Sequence, residues 1–81
     1  TEALRSLIDE IFAASDLAEL HACTVPENFA SRSVLDRLGF NESRLLHGGA
    51  LVRNRRVDII LYIFTRAQQL ANLRQRERVV G

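Results

Sequence analysis

The stretch with the clearest chemical potential is the start of a short helix that follows Pro26. Asn28 and Ser31 stand three residues apart there. With Asn28 as N-cap, its amide oxygen and the Ser31 hydroxyl both lie in the first turn, beside the backbone N–H groups. Several of those N–H groups are expected to remain free, and a helix start of this kind binds polar or anionic ligands. The stretch therefore predicts a binding site around Asn28 and Ser31.

The residues on either side predict how this helix is mounted. Pro26 cannot continue a central sheet ladder, so a strand over residues 17–25 should end there. Gly39 fits the left-handed position just past a helix C-terminus. The sequence thus predicts a strand, a tight turn and a helix over residues 28–38.

Other polar residues support weaker hypotheses. His21 and Cys23 share one strand face and suggest a Cys/His nucleophile pair, but a small buried cysteine is the favoured interpretation. Together with His47 they offer three metal ligands. The paired spacing of zinc sites is absent, so we predict no metal. Asp58 is expected to pair with an arginine of the neighbouring turn rather than act as a base.

Around Asn28 and Ser31 the sequence resembles a known family. Asn28-x-x-Ser31, followed by V-L-D-R-L-G-F over residues 34–40, is similar to the N-x-x-S-x-x-V-L-x-x-L-G-F signature of the GNAT superfamily of N-acetyltransferases, RimJ/RimL branch. The resemblance covers roughly residues 2–65. It implies the C-terminal half of such a domain, with this motif between a strand and a hairpin.

The resemblance also implies roles for individual residues. Asn28 would hydrogen-bond the pantetheine arm of acetyl-CoA, and Ser31 would stabilise or protonate the departing thiolate as the catalytic residue. Many relatives have a tyrosine acid where this chain has Leu35, which cannot carry a proton. Apart from the resemblance, Arg32 could reach a CoA phosphate as a charge-assisted donor. The alternatives are a cap for Asn28, a first-turn residue for Ser31 and a solvated helix arginine for Arg32.

The expected partners are acetyl-CoA and an amine acceptor, which in this family is a protein N-terminus or a small amine. Glu19 and Glu27 both stay open as carboxylates that could activate the amine. The family's glycine-rich diphosphate loop would precede the helix that begins near Glu2, and no G-x-G occurs in the chain. We therefore expect these residues alone to be catalytically weak or inactive.

The elements that position these residues follow from apolar spacing. An i, i+3, i+4 stripe predicts a helix over residues 2–14, and residues 28–38 should bury Phe29, Val34, Leu35 and Leu38. A strand over 45–52 with a bulge at Gly48-Gly49 and a central strand over 57–65, covered on both faces, form a hairpin. A terminal helix that frays should follow residue 66.

This order predicts an α+β fold: a three-stranded, mainly antiparallel sheet with two packed helices and a C-terminal helical tail, the second half of a GNAT fold. We divide the chain into a partial domain over residues 1–65 and a basic tail over residues 66–81. In the resembled fold the final strand lies beside residues 17–25, whose other edge is open. A second copy or a missing N-terminal half is expected to cover that edge.

Composition sets the outer limits. A chain of 81 residues with 47% hydrophobic residues, one cysteine and a net charge of +1 suits one small cytoplasmic domain without a membrane span. All basic residues are arginines, seven of them in residues 53–78. No aromatic is interleaved within the arginine runs 53–56 and 74–78, so we do not predict nucleic acid as a partner. The rival hypothesis is a noncatalytic module that self-associates through the strand edge and the arginine-rich C-terminus.

Overall fold

The predicted order of helices and strands is present in the computed structural model, which describes residues 2–80 and the side chains of residues 2–76. The elements are α1 (Glu2–Ala14), β1 (Glu19–Thr24), α2 (Phe29–Leu38), β2 (Asn41–Val52), β3 (Arg55–Thr65) and α3 (Arg66–Val80). The α+β prediction is confirmed. Thr1 and Gly81, which the predicted domain and tail included, lie outside the described residues, as does the side chain of Arg78.

The three strands form one antiparallel sheet in the order β1-β3-β2. Leu20 lies opposite Phe64 and Ala22 opposite Tyr62. The final strand is therefore central, as predicted. β2 begins at Asn41, four residues earlier than expected, because Asn41 and the next residue already pair with β3.

The core lies on one face of this sheet. In β3, Ile60, Tyr62 and Phe64 are 6%, 1% and 1% exposed, whereas the alternate residues between them are half-buried. The buried cluster also contains residues from both helices and the residue after α2: Ile8, Phe12, Leu38 and Phe40. The prediction that β3 is covered on both faces is wrong for the described chain, since α1 and α2 pack on the same face.

Phe29 is a second correction, because it is 70% exposed rather than buried. Successive residues turn by about 100° around an α-helix, so Phe29 lies roughly opposite Leu38. Leu38 is the buried residue of α2, and Val34 and Leu35 pack partly against the core. The Phe29 ring instead lies beside the Arg32 guanidinium, 5.8 Å from the ring centroid.

The β2–β3 hairpin contains the predicted bulge. Arg53 and Asn54 have φ of 51° and 63°, the conformation of a two-residue turn that matches the twist of the strands. Farther along, pairing shifts between Leu46 and Ala50, and Gly48 has φ of 61°. The Gly48 N–H donates to Asp58 Oδ1 at 2.8 Å.

The expected pairing of Asp58 with an arginine of the turn is wrong, because the Asp58 carboxylate binds the bulge instead. His47 Nδ1 lies 3.5 Å from Asp58 Oδ2, so both carboxylate oxygens face the bulge. Arg56, an arginine of the turn, donates instead to the Gly48 carbonyl at 3.2 Å. Asp58 therefore stabilises the bulge rather than an arginine.

Arg66 joins the end of α1 to the sheet. Its guanidinium donates to the carbonyls of Phe12, Ser15 and Leu17 at 3.0, 2.6 and 2.8 Å. Its backbone N–H donates to the Ala18 carbonyl at 2.8 Å. A cation at these carbonyls also offsets the negative end of the α1 dipole.

The predicted terminal helix, α3, is anchored at its start. Thr65 and Gln68 form a capping box: the Gln68 N–H donates to Thr65 Oγ1 at 3.1 Å, and the Thr65 N–H donates to Gln68 Oε1 at 2.9 Å. Gln68 Nε2 also donates to the Gly39 carbonyl, and the buried Gln69 donates to Asp9. The first turns of α3 thus pack on the other helices instead of fraying, and the boundary at residue 65 stays a prediction.

Asp9 links α1 to α3 in a pH-dependent way. Arg76 donates to Asp9 Oδ2 at 3.0 Å and to Oδ1 at 3.1 Å. This hydrogen bonding, more than any other interaction, lowers the pKa of the Asp9 carboxyl. The folded pKa lies below the unfolded one, so the stabilisation is complete above about pH 4 and is lost as the pH falls through the folded pKa.

We expect Asp9→Asn to lower the free energy of unfolding by about 0.5–1 kcal/mol near neutral pH, the scale of a partly exposed ion pair. At an acidic pH below the folded pKa, where Asp9 is protonated in both states, the difference should shrink. Urea unfolding followed by circular dichroism at both pH values measures it, with Asp16→Asn, in the exposed α1–β1 connection, as control. An Asp9→Asn effect of equal size at both pH values would contradict the assignment.

Candidate functional site

The turn between β1 and α2 is built as the sequence predicts. The Asn28 N–H donates to the Val25 carbonyl at 3.1 Å, which closes the turn after the strand. Asn28 Oδ1 then accepts the Ser31 N–H at 3.1 Å. Asn28 is thus the N-cap of α2, and its amide nitrogen is a donor that the cap does not use.

The other end of α2 is closed by a Schellman motif. The Gly39 N–H donates to the Asp36 carbonyl at 3.1 Å, and the Phe40 N–H donates to the Leu35 carbonyl at 3.0 Å. Gly39 has φ of 97°, and a Cβ there would lie 3.1 Å from the Phe64 ring. Both ends of α2 are therefore fixed by local hydrogen bonds.

The start of α2 offers fewer free N–H groups than the sequence suggested. The Phe29 N–H donates to the Glu27 carbonyl at 3.0 Å, and the Ser31 N–H is used by the cap. Of the first three helical amides, only that of Ala30 has no partner among the described residues. The expectation of several free N–H groups is wrong, because the turn satisfies two of them.

Ser31 faces a groove between β1 and α2. The groove has a volume of about 360 Å³ and is lined by the end of β1 and one side of α2: Ala22, Cys23, Thr24, Ala30, Ser31, Val34 and Leu35. Within the described part of the chain, the Ser31 hydroxyl has no hydrogen-bonding partner, so it is available to a ligand. Asn28 does not line the groove.

An apolar hollow continues this groove toward α1. It has a volume of about 320 Å³ and shares Val34 and Leu35 with the groove. Leu4 and Leu7 of α1 line it and are 45% and 50% exposed. The groove and the hollow together form a trough, called the edge trough below, along the side of β1 that faces away from β3.

The backbone of β1 adds hydrogen-bonding groups to the edge trough. The bond from the Arg66 N–H to the Ala18 carbonyl sets the phase of the β1–β3 ladder. In an antiparallel ladder, hydrogen-bonded and non-hydrogen-bonded pairs alternate along the strand. Ala18 belongs to a hydrogen-bonded pair, so the N–H and C=O groups of Glu19, His21 and Cys23 point to the edge of β1 that faces away from β3. No strand among the described residues pairs there, so an extended segment can bind.

Arg32 is held by the protein rather than solvated. Its Nε donates to the Tyr62 hydroxyl at 3.2 Å, Nη1 to the Pro26 carbonyl at 3.1 Å and Nη2 to Glu42 Oε1 at 3.2 Å. The hydrogen bond to Tyr62 is the main reason that the pKa of Arg32 is raised. A contact between Arg32 and a cofactor phosphate stays a proposal, and that phosphate would have to compete with Glu42.

Cys23 and Thr24 line the groove but were not predicted to do so. Cys23 is exposed, and its predicted burial is wrong because the core lies on the Leu20 and Ala22 side of β1. The signal was present in the sequence: Cys23 shares a strand face with the polar residues Glu19 and His21.

The remaining titratable residues are dispersed. His21 Nε2 pairs with Glu19 Oε1 at 2.5 Å, and His47 pairs with Asp58. Across the residues that the structure describes, no three His, Cys, Asp or Glu side chains form a group that could hold a metal. No helix of residues 2–80 is long and apolar enough to span a membrane.

The chain is similar in sequence and in structure to known acetyltransferases. The family model described as an acetyltransferase (GNAT) domain matches residues 1–41. Ribosomal-protein-S5-alanine acetyltransferase from Vibrio fischeri is 28% identical, with a TM-score of 0.74 over 79% of this chain and 35% of that one. Mycobacterium smegmatis RimJ in complex with CoA-disulfide is 35% identical, with a TM-score of 0.76 over 82% of this chain and 32% of that one.

The chain thus spans about a third of the length of these solved structures. Among curated proteins, no significant match was found.

The cap assignment predicts how α2 responds to substitution. Asn28→Ala removes the oxygen that accepts the Ser31 N–H, and we expect it to lower the free energy of unfolding by about 1 kcal/mol. Asn28→Ser keeps a capping oxygen and should lose much less. Chemical denaturation of the three proteins tests this, and an alanine variant as stable as the serine variant would contradict it.

Proposed function

Since the chain belongs to the GNAT acetyltransferase family, we propose that it forms part of an N-acetyltransferase that moves an acetyl group from acetyl-CoA to a primary amine. The observation that carries this proposal is the groove between β1 and α2, where the Ser31 hydroxyl is available to a ligand. Its volume of about 360 Å³ is within the range of small-molecule sites.

The reaction needs a base that takes a proton from the amine and an acid that gives a proton to the departing thiolate. The amine nitrogen attacks the thioester carbonyl carbon, the carbon–sulfur bond breaks, and the amine gives up a proton while the departing thiolate gains one. We assign the second proton, or a hydrogen bond to the thiolate, to Ser31. Leu35 also lines the groove but carries no proton, and the base stays open between Glu19, already paired with His21, and Glu27.

The edge trough would hold the extended arm of acetyl-CoA. The backbone groups of Glu19, His21 and Cys23 can bond to the amides of such an arm, and the apolar residues of α1 and α2 can cover its hydrocarbon part. Asn28 does not line the groove, so we propose that its free amide nitrogen donates to a part of the arm that extends beyond the groove. Because two of the first amides of α2 are already used, the diphosphate needs donors other than this helix start.

The acceptor we propose is the N-terminal amine of a protein. The similarity to an enzyme named for alanine of ribosomal protein S5 and to a RimJ protein supports this choice over a small amine. We also propose that the edge trough is completed by an N-terminal half or by a second copy, and that the protein works in the cytoplasm. Each of these proposals rests on the family relationship.

A noncatalytic self-associating module is the second candidate. The free edge of β1 favours it, because unpaired backbone groups beside exposed Leu4 and Leu7 can pair with another strand. Mass measurement by light scattering with and without acetyl-CoA separates the candidates. A dimer that forms through this edge and does not bind acetyl-CoA supports the module.

Cys23, the only cysteine of the sequence, provides a test of the groove. We expect saturating acetyl-CoA to slow alkylation of Cys23 by iodoacetamide at least about fivefold, because a filled groove excludes the reagent. Mass spectrometry of the Cys23 peptide, from the longest natural form of the chain, measures the rate. ADP, which lacks the pantetheine arm, is the control, and an unchanged rate with acetyl-CoA bound would contradict the proposed site.

Ser31→Ala tests the proton donor. We expect a loss in kcat of about 100-fold, with a smaller change in KM for acetyl-CoA, because the hydroxyl acts on the departing thiolate. Ser33→Ala, at an exposed position of the same helix, is the matched control and should keep the activity. Equal turnover by the two variants would remove Ser31 from the mechanism.

A further inference from the structure

Arg32 connects the start of α2 to the centre of the sheet. Its guanidinium contacts three other parts of the fold: Tyr62 in β3, Pro26 in the β1–α2 turn and Glu42 in β2. Tyr62 is 1% exposed, and its hydroxyl lies 3.5 Å from Glu42 Oε1, to which it can donate. Arg32 itself follows Ser31 in the chain, so these contacts act directly beside the groove.

The local hydrogen bonds of the β1–α2 turn do not by themselves fix how the turn is oriented relative to the sheet. Asn28 to Val25, Phe29 to Glu27 and Ser31 to Asn28 all join residues close in sequence. Such bonds hold the shape of the turn, but they leave its rotation relative to the sheet open. Among the described residues, the contacts of Arg32 with Tyr62 and Glu42 are the hydrogen bonds that tie this turn to distant strands.

We propose that Arg32, Tyr62 and Glu42 form a positioning clamp that sets the direction in which Ser31 faces the groove. The inference rests on the proposed function and adds positioning residues to it. Ser31 and Arg32 are consecutive in α2 and point about 100° apart around the helix. Together with the packing of Leu38, Val34 and Leu35 on the core, anchoring Arg32 to β3 therefore fixes the side of α2 that turns toward β1.

The chemistry of the three side chains fits this role. An arginine has a planar fork that can reach three acceptors at once, whereas a lysine ammonium cannot match that geometry. The irregularity in β2 between Glu42 and Arg44 leaves Glu42 opposite Tyr62. Its carboxylate then balances the guanidinium charge beside the groove.

Two variants and one matched control test the clamp in the longest natural form of the chain. Arg32→Lys keeps the charge but loses the fork, and Tyr62→Phe keeps the buried ring but loses the hydroxyl. Arg37→Lys changes the same residue type at an exposed position one turn farther along α2. Amide hydrogen exchange reports the turn directly, and calorimetry with acetyl-CoA reports the groove.

We expect each clamp variant to speed exchange at Asn28 and Ser31 about tenfold while β3 and α1 keep their protection. Affinity for acetyl-CoA should fall about fivefold, and Arg37→Lys should match the wild type in both measurements. The double variant Arg32→Lys with Tyr62→Phe should behave like the single ones, since residues that share one interaction are not additive.

Three results would overturn the clamp. These are unchanged exchange at the turn, faster exchange spread evenly over β3 and α1, and altered exchange with unchanged affinity. If the wild type itself does not bind acetyl-CoA, the proposed function fails. The exchange pattern and the double variant then still decide whether the three residues hold the turn.

Discussion

The fold depends on one guanidinium, that of Arg66. Its fork binds three carbonyls at the end of α1 and in the connection that follows, and it lies 5.0 Å from the centroid of the Phe12 ring. Its backbone meanwhile closes the β1–β3 ladder at Ala18. A single residue thereby sets how α1, β1 and β3 meet.

The packing of α1 and α2 on the same face of the sheet decides where chemistry is possible. With its helices packed on one face, the described chain leaves one edge of β1 and the apolar residues beside it uncovered. The groove with Ser31 opens at this edge, so the features that make the fold incomplete on its own also make room for an extended ligand. Solved relatives, of whose length this chain spans about a third, share this fold, and we propose that further structure covers the edge.

Local signals in the sequence were enough to predict the order of elements, the cap at Asn28, the left-handed Gly39 and the Gly48 bulge, because each depends on neighbouring residues. The predictions that the structure corrects concern the direction in which side chains point. Phe29 has the right type for a core but the wrong position around the helix, and Cys23 lies on the strand face that no helix of residues 2–80 covers. The clamp around Arg32 joins side chains from three elements, α2, β2 and β3, so no spacing in the sequence could have predicted it. The T-x-x-Q capping box was a local signal that we overlooked.

The β2–β3 hairpin has a consequence for the order of folding. Two consecutive residues in left-handed conformation, Arg53 and Asn54, set the register of strands that adjoin in sequence, and a hairpin of this kind closes within about 1–10 μs. β1 must reach the other edge of β3 from far away in sequence, pairing Glu19 with Thr65, and such closure is slower. We therefore infer that the hairpin forms first as a template and that β1 pairs with it afterwards.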